Sequence, residues 1–420
     1  MLIPLSNLMK NKCNITFFKM KDESQLNLLY ISPLCSKRFV SELFQKTGKD
    51  PGFAVQKFSR LLVKGIVEND SKITALSIRP ISRQLSSKVF WGTKKETEDG
   101  MLYHYVPFLN LNYMRHVCLF FYCFFYVLFW GIGKREQKAI ICDVLSISAC
   151  TGSLLAAKII GVQSVGVMTD MPGLMMCSSK DSLATKLNKS YISSFSSYVF
   201  LTEQMNGVIN KKNRPYIVME GLVDATSYNI QSSAEKTSSR TVLYAGGLHE
   251  RYGLKMLVNG FVMANIPNAQ LVIYGGGPYV DELKRVCAEH SNVVYKGLAD
   301  NSVVFAEEQK ATLLVNPRPT TEEFTQYSFP SKNMEYMVSG TPVLITRLPG
   351  MPTEYNNYVY LFDEETENGY AKCLKEVLSK GEEELKSKGH SARQWVLENK
   401  NNVVQAGRIV KLIKEVVNQE

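Results

Sequence analysis

The chain has 420 residues, 45% of them hydrophobic and 21% charged, with 49 Lys and Arg against 39 Asp and Glu. This length exceeds a usual single domain, so two domains of about 200 residues are expected, each able to bury a core. The net charge of +10 calls for anionic partners, but the basic residues are dispersed and form no recognised nucleic-acid motif, which argues against nucleic acid. Nine scattered cysteines without a C-x-x-C pair argue against a disulfide framework and fit reduced thiols in a cytoplasmic protein.

In chain order, the first 25 residues break their apolar positions with Asn and Lys too often to form a signal-peptide core. Leu26–Ser32 reads as the first strand and the basic Lys37–Lys46 as a helix after it; Lys72–Ile78 is a second strand. Val117–Trp130 is an unbroken run of fourteen apolar or aromatic residues, followed by the basic Lys134, Arg135 and Lys138. The run is shorter than the roughly 20 residues a spanning helix needs. A buried helix and a helix lying at a bilayer surface both fit it, with a membrane span as the third reading. Ala139–Ile147, Ser164–Asp170, Ser197–Glu203 and Tyr216–Gly221 complete an N-terminal set of strands. Ser227–Arg240, rich in Ser, Gln and Lys, is the expected linker. A second strand–helix series follows, and Ser391–Val417 has a helical pattern. Strands alternating with helices predict parallel α/β architecture. No internal repeat is present, and no His, Cys and Asp cluster has metal-ligand spacing.

The most informative stretch is Phe329–Val343, FPSKNMEYMVSGTPV. Pro330 suits a first helical position, and Gly340 with Pro342 gives a helix stop. The free N–H groups of the first turn, with Ser331 and Lys332, form an anion site. Glu335 shares the face of Ser331 and Lys332, one turn deeper, where a carboxylate can accept hydrogen bonds from a ribose diol. Met334, Met337 and Val338 have core spacing.

That stretch resembles the donor-site signature of glycosyltransferase family 4, whose members have the GT-B fold and transfer sugar from a nucleotide-sugar with retention. Val242–Leu257, Leu271–Leu283, Asn292–Gly297 and Ala311–Pro319 resemble, in order, the strand units of the family's C-terminal domain, so the likeness covers roughly residues 240 to 400. The resemblance implies two Rossmann-like domains facing a cleft: an acceptor domain over 1–226, a linker at 227–240, a donor domain over 241–390, and a C-terminal helix, 391–420, crossing back. It implies that Arg251 and Lys332 stabilise the leaving diphosphate, that Gly246, Gly247, Gly275, Gly276 and Ser331 surround the donor, and that Glu335 holds the ribose. Tyr295, Gly297 and Leu298 would line the base pocket. Gly275–Gly277 fit a plain tight turn equally well. No cofactor beyond the nucleotide-sugar substrate, and no metal, is expected.

Two departures from the family pattern bear on activity. The first of the family's paired glutamates is replaced by Tyr327. Glu323, in the loop upstream, is the candidate to take its place, against an ordinary solvated carboxylate. The family's His-Asp pair is Thr169–Asp170 here. Asp170 at a strand end can orient or deprotonate an acceptor hydroxyl, or simply cap a turn. The expected function is a retaining, metal-independent hexosyltransferase acting on a glycan or lipid-linked acceptor in capsule or exopolysaccharide synthesis. It would be cytoplasmic, at the inner face of the membrane, with Val117–Trp130 as a peripheral contact. A transferase to a soluble small acceptor, and a catalytically weak sugar-nucleotide-binding or scaffold subunit, are the alternatives.

Overall fold

The computed structural model of the chain describes residues 25–132, 137–171, 190–229 and 240–418. The N-terminal stretch, Lys134, Arg135, Pro172, Gly173 and most of the expected linker lie outside the described residues.

The first unit runs β1 (Asn27–Ser32), α1 (Lys37–Thr47), α2 (Phe53–Glu68), β2 (Lys72–Ser77), β3 (Phe90–Trp91), β4 (Lys94–Glu98), β5 (Met101–Tyr105), β6 (Phe108–Leu109), α3 (Asn112–Gly131), β7 (Lys138–Asp143), α4 (Ile147–Ile159), β8 (Gln163–Met168), β9 (Ser197–Phe200), α5 (Glu203–Ile209) and β10 (Tyr216–Val218). Its sheet has the order β10-β9-β8-β7-β1-β2-β5-β4, parallel except for β4 against β5. β1, β2, β7 and β8 read as continuous apolar runs because both faces of a parallel sheet are covered.

The second unit runs β11 (Arg240–Ala245), α6 (Leu254–Ala264), β12 (Ala269–Tyr274), α7 (Val280–Glu289), β13 (Val293–Gly297), α8 (Asn301–Lys310), β14 (Leu313–Asn316), α9 (Ser331–Ser339), β15 (Val343–Ile345), β16 (Tyr360–Leu361), α10 (Glu367–Ser379), α11 (Glu382–Asn399) and α12 (Asn402–Val417). Its sheet is wholly parallel, in the order β13-β12-β11-β14-β15-β16.

Three expectations change. The strand read over Ala139–Ile147 ends at Asp143, whose Oδ1 accepts the Leu145 N–H at 3.1 Å and turns the chain into α4. Strands β3 to β6 add to the expected set: β3 and β6 have two residues each, too few for a periodic signal, and β4, Lys94–Glu98, is polar. The helical pattern over Ser391–Val417 is two helices, parted where Asn401 caps α12 by accepting from the Val403 and Val404 N–H groups.

α12 lies against α2 and the first sheet. A Cβ on Gly65 of α2 would sit 2.0 Å from the Asn402 carbonyl oxygen, so this glycine lets the helices meet backbone to backbone. The junction is polar: Lys400 Nζ lies 3.1 Å from Glu220 and 2.6 Å from Glu354, and Asn402 Oδ1 accepts from the Ala225 N–H.

Candidate donor and acceptor site

Two strand ends build the site. β11 runs out at Ala245 into Gly246 and Gly247, and β14, its neighbour on the side away from β12, runs out at Asn316 into Pro317 and Arg318. Strand order reverses between them, and open parallel sheets bind ligands in the crevice outside the carboxyl ends at such a point. A hollow of about 70 Å³ opens there, with Gly246, Gly247, Tyr252, Arg318, Ser331 and Lys332 in its wall. A larger opening of about 340 Å³, bordered by Thr320, Thr321, Arg347 and Asp363, contains none of the expected site residues.

α9 points its N-terminus at the hollow. Pro330 stands at the N-cap with φ −66° and ψ 113°, one residue before the expected position, and no side chain caps this end. The Asn333 N–H donates to the Pro330 carbonyl at 2.9 Å, and the Ser331 and Lys332 N–H groups are left for a ligand. Gly340 closes the helix in the left-handed conformation, as expected.

Of the two cations expected to act together, only Lys332 lines the hollow. Arg251 sits in a 3-10 turn, Glu250–Tyr252, exposed, with its guanidinium carbon 4.8 Å from the Phe324 ring centroid. The second cation in the wall is Arg318, which the sequence reading passed over. Its guanidinium stacks 4.8 Å from the Tyr252 centroid. Burial pulls its pKa below the ordinary arginine value, and the charge of Arg251 adds to this. Among the described residues, no carboxylate or carbonyl accepts a hydrogen bond from it. A half-buried guanidinium with its donor fork unfilled is a strong anion site. Its signal in the sequence was a basic residue directly after a buried strand, within Asn-Pro-Arg-Pro.

Glu335 is ion-paired from two sides: Lys332 Nζ lies 3.1 Å from one oxygen and Lys57 Nζ, from α2 of the first unit, 2.7 Å from the other. Burial raises its pKa most, but Lys332 and Lys57 together hold the carboxyl below the usual range. Nearby Glu308 is 2% exposed and burial pushes it up to about 7, with the charge of Glu335 assisting.

Gly275 and Gly276 lie beside the hollow, outside its wall. A Cβ on Gly275 (φ 135°) would stand 1.8 Å from the Gly246 carbonyl oxygen, so this glycine lets the turns after β11 and β12 press together. Tyr295 donates its hydroxyl to the Gly275 carbonyl at 2.9 Å; Gly297 is left-handed, and Leu298 is exposed next to Gly276. Glu323 is exposed at the start of a 3-10 turn, Glu323–Gln326.

Across from the hollow, Asp170 follows β8. Burial pushes its carboxyl up to about 6, and the charge of Arg318 opposes the rise, so the two stand within electrostatic reach across the cleft. Asp143, at the end of β7, is likewise raised to about 6, by burial first. Among the described residues, no group of His, Cys, Asp and Glu side chains gathers as metal ligands.

Residues 239–380 match the family model described as glycosyl transferases group 1. No curated protein matches the chain. Solved structures similar in fold include sucrose-phosphate synthase from Thermosynechococcus elongatus, with TM-score 0.62 at 14% identity, covering 94% of this chain and 100% of that one. The catalytic domain of starch synthase IV from Arabidopsis thaliana, bound to ADP and acarbose, has TM-score 0.63 at 12% identity, covering 94% and 100%. The lipopolysaccharide outer core galactosyltransferase WaaB has TM-score 0.59 at 14% identity, covering 93% and 99%. The chain therefore has the GT-B fold of two Rossmann-like units, and residues 239–380 are similar to the glycosyl transferases of group 1.

Proposed function

We propose that the protein is a retaining, metal-independent hexosyltransferase that moves sugar from a nucleotide-sugar to a glycan or lipid-linked acceptor in surface polysaccharide synthesis, at the cytoplasmic face of a membrane. The observation that carries this reading is the gathering of Arg318, Lys332 and the uncapped α9 N-terminus around one hollow at the strand-order reversal. A nucleotide-sugar releases its sugar only if the charge growing on the β-phosphate is stabilised, and preorganised cations and N–H groups supply that. Arg318 takes the role that the resemblance assigned to Arg251.

In the proposed step the acceptor hydroxyl oxygen bonds to the anomeric carbon while the bond from that carbon to the phosphate oxygen breaks. The electron pair stays on the nucleoside diphosphate. The acceptor's proton passes to the leaving phosphate on the same face, which accounts for retention without a carboxylate nucleophile, and Asp170 orients the hydroxyl. Glu335 receives the ribose once Lys57 releases it, and Gly297 and Leu298 border the base. The likeness to a lipopolysaccharide galactosyltransferase and to an ADP-bound starch synthase supports a sugar-nucleotide donor and a glycan acceptor.

A thermal-shift panel of UDP-, GDP-, ADP- and dTDP-sugars tests the donor half. One donor at a hundred times its dissociation constant should add about 2.7 kcal/mol of stability. That shift should vanish in Lys332→Ala and Arg318→Ala. Silence across the panel, or a shift that survives both substitutions, would sink the reading.

A further inference from the structure

We infer that the outward face of α3, with the hairpin before it and the end of α4, is a docking surface for an anionic lipid bilayer, on which α3 lies flat. α3 is 20 residues long, so it extends about 30 Å at 1.5 Å per residue. Leu119, Cys123 and Val127 face inward and are buried. Val117, Phe121, Phe125 and Phe129 recur one turn apart on the opposite side, the three phenylalanines 53%, 48% and 71% exposed. The apolar surface widens onto Val89 and Phe90 at one end and onto Leu155 and Ile159 at the other. The Asn110 N–H donates to the Val89 carbonyl at 2.7 Å and brings the hairpin to the start of α3.

Charge chooses the partner. Residues 79–93, 111–132 and 144–162, which carry this face, contain no Asp or Glu, whereas Arg83, Lys88 and Lys158 are exposed among them. Lys212 and Arg214 stand close enough to Lys158 for their charges to act on it. Among the described residues of this face none is acidic, and an apolar, aromatic surface with a cationic rim suits anionic headgroups over acyl chains. A second copy would set two cationic rims against each other.

α3 is long and apolar enough to cross a membrane, but its inward contacts argue against a span. A Cβ on Gly152 of α4 would sit 2.2 Å from the Phe120 carbonyl oxygen, so α3 and α4 touch through their backbones. Arg115 donates to the Arg79 and Ile81 carbonyls, and Lys138 Nζ caps the far end through the Trp130 carbonyl at 2.9 Å. The Tyr122 hydroxyl lies 2.7 Å from His104 Nε2. Leaving the fold to cross a membrane would break all of these, whereas lying flat breaks none. The start of α3 is tied to the start of α4 through His116 Nδ1 and Ser148 at 2.8 Å, beside exposed Leu145 and Ile147 after the end of β7. A bilayer on this face therefore reaches the acceptor side of the cleft.

The test is flotation of the full chain with vesicles of phosphatidylcholine alone and of phosphatidylcholine with phosphatidylglycerol. The chain should float with the anionic vesicles, less so as salt rises, and Phe121→Ser/Phe125→Ser/Phe129→Ser should cut the bound fraction at least about tenfold. The same triple variant should stay folded, with a cooperative thermal transition at a somewhat lower temperature, because the rings are half exposed and Phe121 and Phe125 also contact Phe120 and Phe124. Equal flotation of variant and parent, indifference of the parent to both vesicles, or a dimer that the triple variant dissociates without any vesicle binding would each overturn the inference. The face shares no residue with the donor hollow. Arg318→Ala should therefore float like the parent, and failure of the donor reading stays distinguishable from failure of this one.

Discussion

Arg318→Ala and Arg251→Ala separate the two candidate cations. Arg318 lines the hollow with an unfilled guanidinium, whereas Arg251 is exposed and stacked on Phe324. Loss of a preorganised donor to developing oxyanion charge costs about 10²–10³ in turnover, equivalent to about 2.7–4 kcal/mol. Arg318→Ala should fall in that range. Arg251→Ala should stay within about fivefold of the parent, since its charge acts from a solvated position at a distance. Arg318→Lys should recover only part of the loss, because an ammonium cannot present the planar fork to two phosphate oxygens. The ligand-free protein gives a second readout. Arg318→Ala removes a stacking contact worth roughly 0.5–2 kcal/mol and at the same time relieves the cost of burying an unpaired cation. The two effects oppose each other, the second only in part because the side chain is half-buried, so its melting temperature should fall by no more than a few degrees while the donor-induced shift disappears. Single-turnover release of nucleoside diphosphate, measured with thermal denaturation of each variant, is the assay. Equal damage from both alanine variants, or Arg318→Ala turning over within threefold of the parent, would refute the assignment.

Lys57→Ala should raise donor affinity up to about fivefold, because a partly exposed ion pair of this kind is worth up to about 1 kcal/mol and Glu335 no longer has to be released from it; weaker donor binding by calorimetry would place Lys57 on the donor instead. Lys400→Ala leaves Glu220, 4% exposed, without its ammonium partner and should cost about 3–5 kcal/mol in chemical denaturation, whereas a loss under 1 kcal/mol would show that water replaces it. If Asp170 must be ionised to hold the acceptor, kcat/KM should fall as pH drops through about 6, the value to which burial raises it. Asp170→Asn should lower the rate and remove that acid limb; an unchanged limb in the variant would assign it to another group.

The parallel strands were legible because each is a short apolar run punctuated by turn residues, and a sheet covered on both faces needs nothing subtler. α9 was legible to within one residue, since Pro330 and Gly340 act through local backbone geometry alone. Arg318 was not, because its meaning depends on which strand neighbours β11. Sequence order places β12 next, and only the sheet places β14 on the other side. Lys57 was hidden for the same reason: its contact with Glu335 spans 278 positions and two units. The glycines after β12 were recognised as glycines but not for their work, which is to admit the neighbouring turn. The length of α3 was also misjudged, because its polar first turn, Asn112–His116, does not belong to the apolar run.

Arg318 and Lys332, with the free N–H groups of α9, stand on the second unit, and Asp170, raised by burial, on the first, with Arg318 acting on Asp170 across the gap. Before the donor arrives, Arg318 lowers the pKa of Asp170. A bound diphosphate takes over that guanidinium and adds negative charge of its own, and both effects raise the carboxyl. The acid limb of kcat, which reports the bound enzyme, should then lie at higher pH than the acid limb of kcat/KM, which reports the free enzyme. In Arg318→Ala the two limbs should move together and upward, because the free carboxyl has lost its neighbour. A kcat limb below that of kcat/KM would mean that the diphosphate does not engage Arg318, and the donor hollow would then need another occupant.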